Sequence, residues 1–285
     1  MNRSSGPSSR DERATLSVTV ITWNEEERLG RTLASVRDLA DEIVVVDSGS
    51  TDGTEAVARG WADRFVVREW EGFGFQKARA LELAEGDWVL LLDADEVVSP
   101  SLAGDIDGAL RAPGHNAGYW IHLQTWMLGR WFGTRGWWRE WKLRLARRDR
   151  MRMVNPLVHE RVEVDGPTDR LEGPLLHYHD RGLAHELHRI DRYSTLAAEQ
   201  LLDRRGRPPG PWTALARAWT YGLQRYVVQN SFLHGGAGVV DASLRALYGF
   251  MKYAKAWERG RRGQPAGEST ASALADEAEA RKEGL

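Results

Sequence analysis

Cysteine is absent from the 285 residues, which excludes disulfides and thiolate metal sites and leaves the redox compartment unreadable. Long apolar runs are missing too, since no uncharged stretch approaches the ~18 residues of a membrane span. There is also little net charge: 39 Lys and Arg stand against 41 Asp and Glu, a formal −2. A balance so close to zero exerts no general pull on nucleic acid, so an anionic ligand must be met by a local site. The opening residues, MNRSSGPSSRDER, lack the apolar core of a signal peptide. These absences lead to the expectation of a cytoplasmic protein without a nucleic-acid partner, able to work at the inner face of a membrane.

What is present is the composition of a soluble globular chain, 42% hydrophobic and 28% charged, long enough for one large domain or a domain with an appendage. From 16 to 112 apolar strands alternate with amphipathic helices. LSVTVIT (16–22), EIVVVD (42–47), RFVVREW (64–70) and WVLLLDAD (88–95) read as strands. Helices are expected over 25–40, 54–61 and 75–85, the first with Leu29, Leu33, Val36 and Leu39 at helical spacing. Ser99-Pro100 reads as the N-cap and first residue of another. Strands apolar on both faces, alternating with helices, predict an α/β fold with a mostly parallel sheet covered on both sides. After 115, AGYWIHLQTW, WKLRLARR, PLVHERVEV and GPLLHYH read as strands between turn-like glycines and prolines. From about 183 three long helices are expected, 183–205, 211–233 and 239–259, divided by GRPPG and HGGAG. Disorder is expected for residues 1–14 and for the polar tail 260–285.

Ligands of open α/β sheets bind at the carboxyl ends of the strands. Here three strand ends carry polar clusters: Thr22-Trp23-Asn24-Glu25, the loop DSGSTDGT from Asp47 to Thr54, and Asp93-Ala94-Asp95. Asp47 would accept from the N–H of a uracil or the hydroxyls of a ribose. Asp93 and Asp95 share a face while the strand lasts, ~6–7 Å apart, and alternation turns Glu96 to the other face. Two unneutralised carboxylates so close would repel, and one would protonate. A hard divalent cation on a diphosphate removes that conflict. Each acidic cluster taken singly fits an ordinary helix cap or turn. In this order along one edge they point to a nucleotide-diphosphate site.

The stretches VITWNEEERLGRTLASV, EIVVVDSGSTDGT, A-x-G-D-W-V-L-x-L-D-A-D-E and NPLVHERVEVDG together resemble the family 2 glycosyltransferases. EWEGFGFQKARALELA, KLRLARR, LLHYHD and YGFMKYAKAWE extend the resemblance over roughly 15–258, toward bacterial lipopolysaccharide-core β-1,4-glucosyltransferases. The resemblance implies a GT-A (Rossmann-like) catalytic domain over 15–180 with a helical region over 181–259. It also implies a UDP-sugar donor, Mg²⁺ or Mn²⁺, and inversion at the anomeric carbon. By position, Thr22, Asn24 and Glu25 would line the nucleotide pocket, Asp47 would contact uracil, and Asp52 would hold the loop or the nucleoside. Asp93 would meet ribose or metal, and Asp95 the metal on the diphosphate. A proline common in the first motif is absent, and Ser48 stands where many members have a second aspartate.

Lys77 and Arg79, on the helix after EGFGF, would reach the donor phosphates or else lie on a solvated helix face. Inversion requires a carboxylate base opposite the leaving group. The Glu-Asp pair that many members use does not occur in the later strands, which leaves Glu160 as the expected base, oriented by His159, with Glu140 as runner-up. His177 reads either as a further metal ligand or as a structural histidine. Trp126, Trp131, Trp137, Trp138 and Trp141 would stack on an acceptor glycan or pack in the core. Arg130, Arg135, Arg139 and Arg144 among them would suit an anionic glycolipid. The aromatic and basic residues of the last two helices suit either a membrane interface or packing, and packing is the favoured reading for most of them. Polyprenyl-phosphate sugar synthesis is the nearest alternative, and sugar-phosphate nucleotidyl transfer a more distant one; TWNEEERLG lacks the Gly-rich loop of the latter.

Overall fold

A computed structural model describes residues 13–134, 136–154, 161–179, 182–205 and 207–262. The chain forms two compact units, one from residues up to Thr125 together with Glu140–Tyr178, the other from Trp126–Arg139 together with the chain from His179.

The first unit begins with β1 (Leu16–Thr22), α1 (Glu26–Val36), β2 (Glu42–Asp47), α2 (Thr54–Arg59), β3 (Arg64–Val67), α3 (Phe73–Leu83) and β4 (Trp88–Asp93). A short β5 (Glu96–Val98) and α4 (Pro100–Arg111) follow, then β6 (Gly118–Met127), whose last two residues belong to the other unit. β1 pairs in parallel with β2 and with β4, and β2 with β3. β1, β2 and β4 are buried almost throughout, because both faces are covered, whereas β3 at the end of the sheet is only partly buried. Val18, Val20, Ile43 and Leu90 pack with Leu29 and Leu33 of α1 and Leu102 and Ile106 of α4. Val44, Val46 and Ile21 pack against Ala80 of α3.

Numbering β7 (Arg130–Phe132), β8 (Glu140–Arg147), β9 (Met151–Val154), β10 (Arg161–Val164) and β11 (Thr168–Tyr178) completes the strands. β8 lies antiparallel to both β4 and β6, and β11 antiparallel to β5, so the sheet runs β3-β2-β1-β4-β8-β6-β11-β5. β9 and β10 form a separate antiparallel pair.

The four parallel strands lie where periodicity puts them, while several ends differ for local reasons. β3 stops at Val67 because its partner β2 ends at Asp47, the residue paired with Val67. α3 starts at Phe73, entered through Gly72 at φ 117. β4 stops at Asp93 because the Asp93 N–H donates to Glu96 Oε2 at 2.9 Å and turns the chain. Ser99 caps α4, its hydroxyl accepting from the Leu102 N–H, with Pro100 in the first turn. β5, β7 and β9 were not anticipated. The expected disorder of 1–14 and 260–285 falls mostly outside the described residues, though Arg13 pairs with Asp41 at 3.0 Å and the last helix reaches Arg262.

In the second unit β7 follows a turn at Leu128 and Gly129, both with left-handed backbone. Three helices follow: α5 (Leu183–Arg205), α6 (Pro211–Leu223) and α7 (Gly236–Arg262). α7 packs against both others, with Lys255 on Asp191 at 2.8 Å, Arg259 on Glu199, and Gly222 of α6 against Ala246. The single helix expected over 211–233 is broken. It widens over 224–228, then Asn230 takes a left-handed conformation at φ 64, which no α-helix admits. Aromatics divide accordingly: Tyr253 is buried against α6, whereas Trp212 and Trp219 face outward.

Close approach of β11 to α4 depends on Gly173, where an added Cβ would fall 2.4 Å from the backbone of Leu102. Gly104, on the exposed side of α4, has nothing within 4 Å of that position. Gly173→Ala is therefore expected to destabilise by about 1–3 kcal/mol, and Gly104→Ala to stabilise by about 0.5–1 kcal/mol. Urea unfolding of both variants checks this, and a neutral Gly173→Ala would refute the packing argument.

Candidate active site at the strand ends

Thr22 is paired with Asp47, and Ile21 with Asp93, so the polar ends of β1, β2 and β4 are neighbours along one edge of the sheet. Sequence reasoning singled out these three clusters, and the register brings them together.

The first two clusters are joined by hydrogen bonds. Asp47, 2% exposed, accepts at Oδ2 from the N–H of Gly49 at 2.8 Å and of Ser50 at 2.7 Å, and Ser50 Oγ donates to its Oδ1. Gly49 at φ 82 lets the loop close so tightly. Across the edge, Asn24 takes φ 49, its N–H donates to Ser50 Oγ at 2.9 Å, and its Oδ1 accepts from the Thr51 N–H at 2.8 Å. Glu25 donates its N–H to Thr54 Oγ1 at 2.8 Å, and its carboxylate pairs with Arg28 at 3.1 Å.

Asp52 accepts from the Thr54 N–H at 3.0 Å, from the Thr54 hydroxyl, and from the Glu26 N–H at 3.3 Å, while Glu26 accepts from Gly53 N–H at 2.9 Å. It thereby ties the starts of α1 and α2 together. Burial pushes the Asp52 carboxyl up, but the hydroxyl and N–H donors of Thr54 outweigh it and hold the group below the usual carboxylate range. Thr22 Oγ1 is buried without a hydrogen-bond partner among the described residues.

The third cluster answers the question of what neutralises its acids. Lys77 of α3 meets Asp93 Oδ1 at 2.9 Å, and Arg144 of β8 meets Asp93 Oδ2 at 2.7 Å. Arg144 also pairs with Glu96, which is 1% exposed. Burial would raise the Asp93 carboxyl, yet Arg144 first and Lys77 next hold it far below its ordinary range. Glu96 is pushed the other way, up, by burial and by the charge of Asp93, with Arg144 opposing. Asp95 lies 3.3 Å from His177 Nε2. Burial disfavours the imidazolium of His177, but its hydrogen bond to Asp95 raises the pKa above the ordinary value. The turn is pinned further by Thr32 Oγ1 donating to Ala94 O at 2.7 Å and by Tyr178 N–H donating to Asp95 O at 2.9 Å.

Several expectations need correction. Asp93 and Asp95 do not share a strand face, since the strand ends at Asp93, and Glu96 turns back toward Asp93 instead of away. Arg144 points inward to these acids, not to an acceptor. Arg79 pairs with Glu82 at 3.0 Å on an exposed face of α3 and leaves Lys77 alone at the edge. Glu140 is half-exposed and pairs with Lys142 at 2.9 Å. His159, Glu160 and Arg135 lie outside the described residues. Trp141, on β8, has its ring 5.2 Å from that of His122, with Arg170 over it at 4.7 Å.

Arg144 was expected at an acceptor and Glu96 on the other face, so neither was read as part of the strand-end cluster. Their one signal was alternation in WKLRLARR, which places Lys142, Arg144 and the buried Ala146 on a single face. A charged residue on a face that ends in burial needs an acid partner.

Residues 17–164 match the sequence model of the family described as Glycosyl transferase family 2. The lipopolysaccharide core biosynthesis glycosyltransferase LpsC of Rhizobium meliloti is 31% identical over 86% of this chain and 92% of its own. An uncharacterized glycosyltransferase of Rickettsia typhi is 28% identical over 84% of this chain and 86% of its own. Among solved structures, glucosyl-3-phosphoglycerate synthase from Mycobacterium tuberculosis, in complex with Mn²⁺, uridine diphosphate and phosphoglyceric acid, is 22% identical. That match covers 71% of this chain and 82% of the other with a TM-score of 0.43, too slight a likeness to bear on mechanism.

The buried pair makes a stability prediction. Arg144→Met leaves Glu96 without its cation and is expected to cost about 3–5 kcal/mol, with Arg144→Met/Glu96→Gln recovering more than half of it. Chemical denaturation measures both, and a single variant within about 1 kcal/mol of the parent would show that Arg144 is dispensable to the turn.

Proposed function

Because this chain belongs to the family 2 glycosyltransferases and folds its first unit in the GT-A arrangement, we propose that it transfers a hexose, glucose first among the candidates, from a UDP-sugar. The acceptor is a lipopolysaccharide-core or other lipid-linked glycan, in keeping with what the name of the Rhizobium meliloti relative says of that protein. One observation carries the donor reading: the register that sets Thr22, Asp47 and Asp93 side by side at the carboxyl ends of three parallel strands, with Asn24 and Asp95 two residues beyond the ends of the first and third.

The donor set suits a divalent cation at Asp95 and His177, a carboxylate and an imidazole that already lie 3.3 Å apart. Asp93 fits that role less well, since two cations hold its carboxylate. His179, two positions on in the sequence, is the next donor to test. When bound, Mg²⁺ or Mn²⁺ supplies charge to stabilise the leaving diphosphate.

The chain's own residues do the rest. The loop built on Asp47 and Asn24 presents a rigid edge for the nucleoside. Lys77, held at the strand end by Asp93, places positive charge where phosphates would lie. A single displacement at C1 inverts the configuration and needs a base opposite the leaving group. Glu160 is assigned that role, with His159 orienting it and Glu140 as the alternative.

A screen of UDP- and GDP-sugars for metal-dependent nucleotide release tests the donor reading, and silence toward every nucleotide sugar would sink it. Asp95→Ala is expected to abolish metal dependence and turnover together. Glu160→Gln should lower transfer by about 10²–10⁴-fold while UDP binding, followed by thermal shift, persists. Normal turnover in that variant would move the base to Glu140.

A further inference from the structure

α6 has one face settled and one face bare. On the settled side Ala214 is buried, Arg217 lies over the Tyr253 ring of α7 at 5.5 Å, and Gly222 meets Ala246. The other side carries Trp212, Leu215, Trp219 and Leu223 at successive steps of three and four residues, one stripe of a helix. Val227 continues the row beyond the helix end. Trp212 is 79% exposed and Trp219 is 74% exposed, so neither ring is core in this unit. Arg217 is the one charge between Pro211 and Gln224, and it belongs to the settled side.

The segment that holds this stripe has an excess of basic residues, of which Lys255 and Arg259 pair with Asp191 and Glu199 of α5. From 207 to 262 there are nine Lys and Arg against Asp241 and Glu258, and Asp241 is engaged by Arg225 at 2.6 Å. The loop leading into α6 touches the end of α7, since a Cβ on Gly260 would fall 2.2 Å from Pro208. That contact brings the chain at Arg207 close to the end of α7, where Arg261 lies over the Trp257 ring at 5.3 Å, and neither arginine meets a carboxylate among the described residues. Among the described residues no helix is long and apolar enough to cross a membrane, so such a face would lie along a surface.

We propose that the outward face of α6 is a docking surface for an anionic lipid bilayer. Tryptophan side chains favour the boundary between headgroups and acyl chains, where the ring is buried and the N–H stays hydrated. Arginines at the margin of such a helix add attraction to anionic headgroups. The inference stands on the helical unit alone and needs neither a sugar donor nor an acceptor, so its failure and that of the transferase reading are separable.

The test is co-sedimentation of the full chain with vesicles of phosphatidylcholine, alone or mixed with phosphatidylglycerol, alongside light scattering of the free protein. Binding is expected to the mixed vesicles and to weaken as salt is raised. Trp212→Ser/Trp219→Ser should weaken it by about tenfold or more while leaving nucleotide release and the unfolding midpoint unchanged. Arg207→Glu/Arg261→Glu should remove the preference for the anionic vesicles. Full recovery in the supernatant with both vesicle types would overturn the proposal, as would equal binding by the tryptophan variant. A solution mass of two chains that falls to one in that variant would instead make the stripe a contact between copies.

Discussion

Arg144 holds Asp93 and Glu96 together, and the geometry of the whole strand edge depends on that contact. Three acids within four residues at the end of a buried strand are not viable without cations nearby. One cation comes from β8, the antiparallel strand that β4 has as its neighbour, and the other from α3 on the parallel side. The position of β8 in the sheet is thus also an electrostatic requirement. If β8 were displaced, Glu96 would be left charged and buried, or would protonate and lose its hold on the turn.

This arrangement separates the acids by task. Glu96, Asp52 and the loop-facing oxygens of Asp47 act on the protein itself, closing turns and joining helix starts. Asp93 stands between, its carboxylate fixed by Lys77 and Arg144. Asp95 is the acid whose near neighbour is an imidazole and not an ammonium or guanidinium. That difference is why the metal is assigned to Asp95 and His177. The two-residue spacing of the D-x-D stretch works here through a turn: it points the two carboxylates at different partners, where strand alternation would have aligned them.

The parallel strands and the helices covering them were legible because burial on both faces leaves a strong pattern of apolar runs and amphipathic segments. The strand-end clusters were legible for the related reason that polar residues at such places stand out against the run before them. Their partners were not. Arg144 lies 48 residues beyond Glu96 in the sequence, and nothing local in WKLRLARR says which strand it will face. The break after Leu223 was hidden for another reason. Tyr226, Val227 and Val228 continue the apolar period, and only Asn230, a residue that tolerates left-handed backbone, interrupts it.

Net charge shows the same limit of whole-chain quantities. A formal −2 for the chain argues against any general electrostatic attraction, but only as an average over all its residues. Charge is not averaged along this chain. Residues 179–262 carry fourteen Lys and Arg against seven Asp and Glu, while the described strand edge of the other unit is rich in acids. A Debye length of ~8 Å at physiological salt makes each surface respond to its own residues and not to the sum. The near-neutral total is thus a sum over parts of unlike charge and describes neither of them.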